Sequence, residues 1–412
     1  MLVRCGLAGK TLRFDGADEV LQILRAVTQG WSLCEIPEPQ GDHEIGIRRD
    51  GDVYSIEEIG HQMLREPSAV SAACSLVAIL LNRLVENDPS LLALHAGAVA
   101  IGARTIIFPA THRAGKSTMA AALALRGHRL VAEDILPLDC GSAGMAAVAS
   151  GTAPRLRLPL PPSSGLRFRV SAWLRAGADD GYYRYLRLPA RSRCGFGERI
   201  GIGAFLFLER DASCHKPQLR AVSKADAMRI LLLQNFGTAA PPVTILDRME
   251  ALSGHCPAFL LRYSPLDMAV SRLEAAFGAD QPLAGLWARL EPARPDLGRV
   301  AGVDMAGRPA SAPRDRIVCR REGVVARMAE DCAFLADQTN GGIFALDLLG
   351  TAIWQLMEQP IRTSEVVAAV QSTYPHVPPG TIAGDVNGLV GQLLENGMAV
   401  ELGQAERQDA RS

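Results

Sequence analysis

A lysine and a serine that follow a loop are the residues of this sequence best suited to phosphate chemistry. The segment reads Ala110-Thr111-His112-Arg113-Ala114-Gly115-Lys116-Ser117-Thr118. Phosphate binds where backbone N–H groups converge at a helix N-terminus, with a lysine on the terminal phosphates and a hydroxyl on Mg²⁺. Lys116 and Ser117 supply these two groups, and only Ala110 departs from the G-x-x-x-x-G-K-[ST] pattern. The segment predicts an ATP-binding P-loop; the alternative is a Lys-Ser pair that opens an ordinary helix.

Two adjacent carboxylates, Glu133 and Asp134, form the second candidate group. They lie between two apolar runs, residues 130–132 and 135–138. A Mg²⁺-nucleotide site needs a carboxylate near the metal, and a kinase needs one near the acceptor hydroxyl. Neighbouring side chains at a strand end point to opposite faces, so this pair can divide the two tasks. The alternative is a solvated acidic turn.

His95 is the third candidate. It follows the apolar run 91–94 and precedes the small residues Ala96, Gly97 and Ala98. A lone histidine in an apolar strand is more often a hydrogen-bonded core residue than a catalyst. The sequence leaves both roles open.

The candidates need a strand, a loop, a helix and a further strand to position them. Apolar runs at 98–101 and 105–108 enclose a Gly-Ala turn and predict two strands before the loop. The Ala- and Leu-rich run 116–126 then predicts a helix that ends at Gly127, a residue type typical of the position after a helix. This order predicts an α/β domain built around the P-loop.

The whole chain divides into four predicted regions. They are a small N-terminal α+β subdomain (1–90), the P-loop domain (91–290), a linker rich in Pro, Gly, Ala and Arg (291–315) and a C-terminal domain (316–402). In the first region, an Asp50-Gly51 turn predicts a hairpin and the periodicity of 69–85 predicts a helix. In the second, we also predict a strand at 203–208 and a helix at 224–234.

The C-terminal region has the element order of a winged helix-turn-helix module. The predicted elements are a hairpin (317–320 with 324–328), a third strand (333–336), three helices (344–357, 364–373 and 382–396) and a last short strand (398–401).

Composition limits the function classes. Of 412 residues, 48% are hydrophobic and 21% are charged, and the formal net charge is -1. Nothing global therefore favours nucleic acid or an anionic membrane as partner. The nine cysteines include no C-x-x-C pair, which is typical of reduced cytosolic thiols. The first ten residues have no signal-peptide core, and the apolar run 69–84 is broken by polar residues and should fall short of a bilayer span. We expect a cytoplasmic protein without a membrane span.

Residues 94–139 resemble the catalytic domain of HPr kinase/phosphorylase and its relatives, including the kinases of lasso-peptide gene clusters. The resemblance is carried by His95-Ala96-Gly97, the P-loop, Arg126-Gly127-His128-Arg129-Leu130-Val131-Ala132 and Glu133-Asp134. It implies that Lys116 and Ser117 bind Mg²⁺-ATP and that His95 lies near the phosphates. It also implies Glu133 as the general base and Asp134 at the metal. Homo-oligomers are a further option that this resemblance raises.

The loop departs from the family pattern. Ala110 replaces a glycine, and the bulkier His112 and Arg113 replace a serine and a glycine. Bulk changes how closely such a loop wraps phosphate, although Arg113 could add a charge-assisted contact. The basic segment 154–159 resembles a proline-and-basic segment of the peptide kinases; the alternative is a solvated loop.

Residues 316–402 are similar to PqqD, the peptide-chaperone fold also called the RiPP recognition element. The match is carried by Thr339-Asn340-Gly341-Gly342 and by segments 351–356, 363–367 and 385–397. The resemblance implies a leader peptide that pairs with an edge strand and packs on the last helix. The implied contact residues are Ala333, Phe334, Leu335 and Ala336 on the strand 333–337, and Val386, Leu389, Val390 and Leu393 on the helix.

DNA binding is the competing function of a winged helix. The predicted third helix, 381–396, contains no lysine or arginine and carries Asp385 and Glu395. Because phosphate contacts dominate DNA affinity, this helix is a poor DNA reader. We therefore expect no nucleic-acid partner.

Together these features predict an ATP-dependent kinase of a Ser or Thr hydroxyl in a ribosomally made precursor peptide, in a lasso-peptide-type pathway. The C-terminal domain would capture the leader of that peptide. One alternative is a catalytically weak or inactive nucleotide-binding scaffold or peptide chaperone. Others are a kinase of a small-molecule or carrier-protein acceptor, and a transferase of an adenylyl group.

Overall fold

The computed structural model describes residues 1–7, 9–37, 43–109, 114–141, 144–236, 240–278, 282–295, 315–338 and 342–402. The chain divides into two compact units. The first contains Met1–Ala239 and Leu252–Asp296, and the second contains Ala240–Ala251 and Leu297–Ser412.

The first unit begins with a six-stranded sheet covered by two helices. Its elements are β1 (Leu2–Cys5), β2 (Lys10–Asp15), α1 (Asp18–Val27), β3 (Leu33–Ile36), β4 (Ile45–Asp50), β5 (Val53–Glu58), β6 (Leu64–Glu66) and α2 (Ala69–Asn87). The strand order is β3-β1-β2-β4-β5-β6. The predicted hairpin is confirmed: β4 and β5 are antiparallel, and Gly51 between them has a φ of 66°.

Among the described residues, helix α2 is long and apolar enough to cross a membrane. It has 19 residues, so the expectation that this apolar run falls short of a span is wrong on length. Core helices of soluble proteins pass the same test, and 44% of its most apolar window is buried. Leu76 and Leu80 of α2 are fully buried in the core of the six-stranded sheet.

The rest of the first unit surrounds a second, larger sheet; of the elements that follow along the chain, the helix Pro242–His255 lies mostly in the second unit. The next elements along the chain are β7 (Leu91–Ile101), β8 (Arg104–Pro109), α3 (Lys116–Leu125), β9 (Arg129–Ala132), β10 (Ile135–Asp139), β11 (Ala146–Val148), β12 (Arg155–Arg157), α4 (Leu166–Leu174), β13 (Ala176–Asp179), β14 (Tyr183–Leu186), β15 (Arg199–Arg210), β16 (Gln218–Val222), α5 (Lys224–Gln234), β17 (Asn235–Phe236), α6 (Pro242–His255), β18 (Ala258–Tyr263), α7 (Leu266–Phe277), α8 (Leu283–Trp287) and β19 (Pro292–Ala293).

Ten strands form the larger sheet, in the order β11-β10-β7-β8-β15-β18-β16-β19, and both β9 and β17 pair with β7. Strands β8, β15 and β18 are parallel to one another. Helices α3 and α7 bury their apolar residues against this sheet in one core, with Met119 and Leu273 fully buried. Strands β12, β14 and β13 form a separate three-stranded sheet.

The strand–loop–helix unit predicted around the P-loop is present from β7 to β10. Strand β8 precedes the loop and α3 follows it. Gly115 lies at the N-cap of α3 with a φ of 95°, and Gly127 follows the helix with a φ of 101°. Both conformations favour glycine, because a Cβ atom is strained in the left-handed region.

The described part of the second unit has two small sheets, most of helix α6 and three further helices. Its further elements are β20 (Ile317–Arg320), β21 (Val325–Ala329), β22 (Cys332–Ala336), β23 (Ile343–Ala345), α9 (Leu348–Leu356), β24 (Ile361–Arg362), α10 (Thr363–Thr373), α11 (Pro379–Glu395) and β25 (Ala399–Glu401). The sheets are β24-β20-β25 and β21-β22-β23. The predicted hairpin of 317–320 with 324–328 is therefore wrong, since β20 pairs with β24 and β25.

Candidate functional site

Strand register brings His95 to the acidic pair. On the antiparallel strands β7 and β10, Ile135 lies opposite His95. The backbone N–H of Ala96 donates to the carbonyl oxygen of Asp134 at 3.0 Å, which fixes the turn between β9 and β10. Residues 39 positions apart in the sequence therefore share one end of the sheet.

A histidine, a lysine and a carboxylate meet at this end of the sheet. His95 Nε2 lies 2.9 Å from Asp134 Oδ1, and Lys116 Nζ lies 4.0 Å from the same oxygen. Lys116 Nζ also donates to the carbonyl oxygen of His95 at 3.5 Å. Because a carboxylate only accepts hydrogen bonds when ionised, the histidine must donate from Nε2. Three of the predicted catalytic residues are thus in mutual contact.

Lys116 is buried at the N-terminus of α3. Burial lowers the pKa of its ammonium group, against the raising effect of the charges on Asp134 and Glu133. A buried ammonium at a helix N-terminus is placed to receive an anionic ligand.

Glu133 and Asp134 have different surroundings. The Asp134 side chain is 36% exposed, whereas Glu133 is 6% exposed. The Ser117 hydroxyl donates to the Glu133 carboxylate, while His95 contacts Asp134. Glu133 thus lies beside the predicted Mg²⁺ ligand Ser117, and Asp134 lies beside the histidine. This geometry argues for the reverse of the roles that the resemblance implies.

Burial also changes the acidity of Glu133. Burial and then the neighbouring charge of Asp134 raise the pKa of Glu133 to about 8, against the lowering effect of Ser117 and Lys116. Its Oε1 atom has no hydrogen-bond partner among the residues that the structure describes. A buried acceptor without a donor, next to a serine hydroxyl, fits a bound cation.

These residues fit Mg²⁺ only together with a nucleotide. Within the described ranges, no three His, Cys, Asp or Glu residues cluster closely enough to hold a metal ion. Mg²⁺ takes six oxygen ligands and is usually held by one or two carboxylates plus substrate phosphates and water. Ser117 and Glu133 are the protein groups that fit this part of the coordination.

Arg155 is a site residue that the sequence analysis did not assign. Its Nη2 atom lies 3.4 Å from Asp134 Oδ2, and its backbone N–H donates to Glu133. Its guanidinium lies 4.7 Å from the ring centre of Tyr183. Arg155 therefore touches both carboxylates from the neighbouring strand β12. The signal in the sequence was the basic segment 154–159.

Two more residues approach the start of α3. A Cβ atom on Gly115 would lie 2.8 Å from Tyr263 Oη and 3.4 Å from Arg210 Cδ. Arg210 in turn donates to the Ser163 hydroxyl. Tyr263 is 1% exposed, and burial raises the pKa of its hydroxyl to about 12. Close packing thus requires glycine at this point of the loop.

The remaining predicted loop residues can be placed only in part. Ala110, Thr111, His112 and Arg113 lie outside the described residues. Ala114 and Thr118 are half-buried on either side of the described turn into α3. The structure describes the loop from Ala114 onward.

The second predicted site is in the C-terminal unit. Strand β22 pairs with β21 on one side and with β23 on the other. The N–H of Leu346, just after β23, donates to the carbonyl oxygen of Ala333. Arg327 on β21 makes ion pairs with Asp247 and Glu250 of α6, at 2.8 and 3.5 Å.

Part of this unit matches a known protein family. Residues 332–399 match the family model of PqqD, described as coenzyme PQQ synthesis protein D. The chain carries a PqqD domain, a RiPP recognition element, at its C-terminal end. No curated protein matches the sequence.

Two solved structures resemble parts of the chain. TbiB1 in complex with the TbiA(beta) leader peptide is 26% identical over 21% of this chain and 99% of that chain, with a TM-score of 0.20. The Hpr(Ser) kinase/phosphatase from Coxiella burnetii is 15% identical over 44% of this chain and 95% of that chain, with a TM-score of 0.24.

In the PqqD domain the expected edge strand is wrong. Strand β22, which holds Ala333, Phe334, Leu335 and Ala336, is the centre of its sheet, and all four residues are buried. Among the described residues, β21 and β23 each pair with β22 alone, so both are edge strands of this sheet and β23 is one open edge. Residues 339–341 of the matching motif lie outside the described residues.

The expected helix face is also turned inward. Val386, Val390 and Leu393 of α11 are buried in the core of the PqqD domain, and Leu389 packs against that core. A Cβ atom on Gly384, Gly388 or Gly391 of the same helix would meet no atom within 4 Å. The apolar residues that we assigned to peptide binding therefore hold the domain together.

Proposed function

We propose that the chain is an ATP-dependent kinase that phosphorylates a serine or threonine hydroxyl of a precursor peptide captured by its PqqD domain. One observation carries the proposal. His95, Lys116 and Asp134 are in mutual contact at the N-terminus of α3, beside a Ser117–Glu133 pair in which one carboxylate oxygen has no hydrogen-bond partner within the described part of the chain.

ATP binding rests on the first turn of α3. Lys116 would contact the terminal phosphates, with the helix N-terminus adding its partial positive charge. Ser117 and Glu133 would hold Mg²⁺, which supplies charge neutralisation on the phosphates when it is bound. The buried position of Lys116 favours this contact, since a bound phosphate replaces the water that the ammonium has lost.

We assign Asp134 as the general base. Its carboxylate is partly exposed and can meet an acceptor hydroxyl, while His95 and Arg155 hold it from two sides. The hydroxyl oxygen attacks the γ-phosphorus as its proton passes to Asp134, and ADP leaves as the bridging P–O bond breaks. His95 and Arg155 are positioning residues in this scheme.

The PqqD domain would supply the peptide. The open edge of β23 supports β-augmentation, in which a leader peptide pairs with free backbone N–H and C=O groups. Capture on the same chain raises the local acceptor concentration to roughly millimolar when the connection is short and flexible. A weak contact between the acceptor and the phosphate site is then sufficient.

Transfer from radiolabelled ATP to the precursor peptide tests the proposal. We expect transfer by the wild type and a loss of about 100-fold or more in Lys116→Ala, because the lysine contacts the transferring phosphate. Lys216→Ala changes an exposed lysine and serves as the matched control. No transfer by the wild type, or full transfer by Lys116→Ala, would sink the proposal.

A nucleotide-binding scaffold without catalysis is the second candidate. The observation in its favour is the loop sequence, where Ala110, His112 and Arg113 replace the glycine, serine and glycine of the family pattern. Such a protein would bind ATP and the leader peptide but transfer no phosphate. Equilibrium binding of both ligands, combined with absent turnover, would select this candidate.

A further inference from the structure

An arginine-rich segment lies next to the phosphate site. Residues 151–193 contain nine arginines and two aspartates, and no lysine or glutamate. This local excess of positive charge contrasts with the formal net charge of -1 for the whole chain. The segment folds as the three-stranded sheet β12-β14-β13 and helix α4.

Helix α4 presents apolar residues on two opposite sides. On one side, Phe168 and Ala172 are buried in the core of the first unit. On the other side, four apolar side chains are exposed: Leu166 by 75%, Val170 by 47%, Trp173 by 66% and Leu174 by 67%. Burial of one side anchors the helix, so the second apolar side is held open to solvent.

The exposed apolar residues form one stripe. At about 100° per residue, positions 166, 170, 173 and 174 fall within roughly a third of the helix circumference. Arg167 lies at one border of this stripe and Arg169 at the other, and both are exposed. A contiguous apolar patch with a polar rim is typical of an interaction site.

The surrounding arginines are available to a partner. Among the described residues, the exposed side chains of Arg167 and Arg169 in α4 and of Arg175 at its C-cap have no ion pair with a carboxylate. Arg184, in contrast, pairs with Asp179. Unpaired arginines around an apolar stripe match an acidic partner that also carries apolar side chains.

The position of α4 relates this surface to the phosphate site. Arg155 on β12 contacts Asp134. Ser163, three residues before α4 begins, accepts a hydrogen bond from Arg210, whose Cδ lies beside Gly115. Both ends of segment 155–163 therefore touch residues of the phosphate site.

We propose that the exposed stripe of α4 and its arginine border bind an acidic segment of the peptide substrate that carries apolar side chains. The inference rests on the proposed kinase function, and it names a substrate contact separate from the PqqD domain. An anionic membrane is the less favoured partner. The helix is only about 13 Å long, one side of it is committed to the core, and it adjoins the proposed phosphate site.

Fluorescence anisotropy with a fluorescein-labelled peptide of alternating Glu and Leu that ends in serine tests this surface on the full chain. We expect Arg167→Glu/Arg169→Glu to raise the Kd at least about tenfold, because the border then repels the peptide. Trp173→Ser should weaken binding by about fivefold through lost apolar contact. A matched Lys-Leu peptide should bind more weakly to the wild type than to the charge-reversed variant.

The matched control is Arg48→Glu/Arg65→Glu, which makes the same charge change on exposed residues of the six-stranded sheet. We expect no change in Kd for the control. Equal affinities of the wild type and of both α4 variants would overturn the proposal, as would an equal loss in the control. Since all these residues are exposed, unchanged circular dichroism is expected and shows that the variants are folded.

Two further measurements identify the other occupants. Trp173-dependent binding to phosphatidylglycerol vesicles, without peptide binding, would assign the stripe to a membrane. A wild-type dimer in sedimentation velocity that Trp173→Ser converts to monomer would assign it to a second copy of the chain. Either result overturns the peptide proposal.

Separate assays distinguish a failure of the proposed kinase function from a failure of the proposed α4 surface. A fluorescent ATP analogue and radiolabelled phosphate transfer report the phosphate site, whereas anisotropy reports α4. Peptide binding that depends on Arg167 and Arg169 without phosphate transfer would refute the kinase and keep the surface. Phosphate transfer by the wild type, together with unchanged peptide affinity in the α4 variants, would keep the kinase and refute the surface.

Discussion

The close approach of Tyr263 to Gly115 gives the cost of one methyl group at the phosphate loop. In Gly115→Ala, the new Cβ would lie 2.8 Å from Tyr263 Oη. It would also sit on a backbone with a φ of 95°. The left-handed backbone costs about 1–2 kcal/mol for a non-glycine residue. Overpacking against a buried side chain costs about 1–3 kcal/mol more. We therefore expect a loss of about 2–5 kcal/mol in the free energy of unfolding.

Gly127 separates the two contributions. It has a φ of 101°, and a Cβ there would meet no atom within 4 Å. Gly127→Ala should cost only the backbone part, about 1–2 kcal/mol. Tyr263→Phe removes the hydroxyl that the new methyl group meets. The double variant Gly115→Ala/Tyr263→Phe should therefore recover the contact part but not the backbone part.

Urea unfolding of the four variants and the wild type measures these free energies. Binding of a fluorescent ATP analogue should weaken in Gly115→Ala and stay unchanged in Gly127→Ala, because only the former displaces the start of α3. The reasoning is refuted if both glycine variants lose the same free energy. It is also refuted if Tyr263→Phe fails to lessen the effect of Gly115→Ala.

The other predictions concern the acids and the peptide edge. Asp134→Asn should lower kcat by about 10²–10⁴-fold and leave the Mg²⁺ dependence of activity unchanged. Glu133→Gln should raise the Mg²⁺ concentration needed for activity. The opposite pattern in a Mg²⁺ titration would restore Glu133 as the general base and Asp134 as the metal ligand. Burial raises the pKa of Asp180, but hydrogen bonds from the Ser68 hydroxyl and nearby N–H groups outweigh it and lower the pKa. The ionised Asp180 therefore stabilises the fold above the usual aspartate pKa, and this stabilisation is lost as pH falls below about 4. Asp180→Asn should make the free energy of unfolding less dependent on pH in acid, as followed by circular dichroism. Ala345→Pro should abolish leader binding in a titration while Ala345→Val retains it, because the N–H of Ala345 faces away from β22.

Local patterns predicted local structure well. The apolar run and the Gly127 stop gave α3, and the predicted helix 224–234 has the bounds of α5. These elements depend on periodicity and end residues within one segment. The sequence alone left the role of His95 open, and its place near the phosphates was implied only by the resemblance to HPr kinase/phosphorylase.

The sequence did not predict which distant segments pair as strands. The run 344–357 begins with a strand residue, and its helix starts only at Leu348, where Asp347 caps the first turn. The resemblance to PqqD implied that β22 is an edge, and taking that run as one helix left β23 out of the predicted sheet. The roles of Glu133 and Asp134 likewise depend on which neighbour each side chain meets. Adjacent acids give no such information before the register is known.

The burial of Lys116 has a consequence for chemical labelling. Only four of the 43 basic residues in the chain are lysines, and Lys116 is buried with a lowered pKa. A larger share of its amine is therefore neutral and nucleophilic at neutral pH than for a solvent-exposed lysine. An acylating reagent shaped like ATP would meet few competing amines, and excess ATP would protect the target. Peptide mapping of the labelled chain can thus report occupancy of the nucleotide site without a turnover assay.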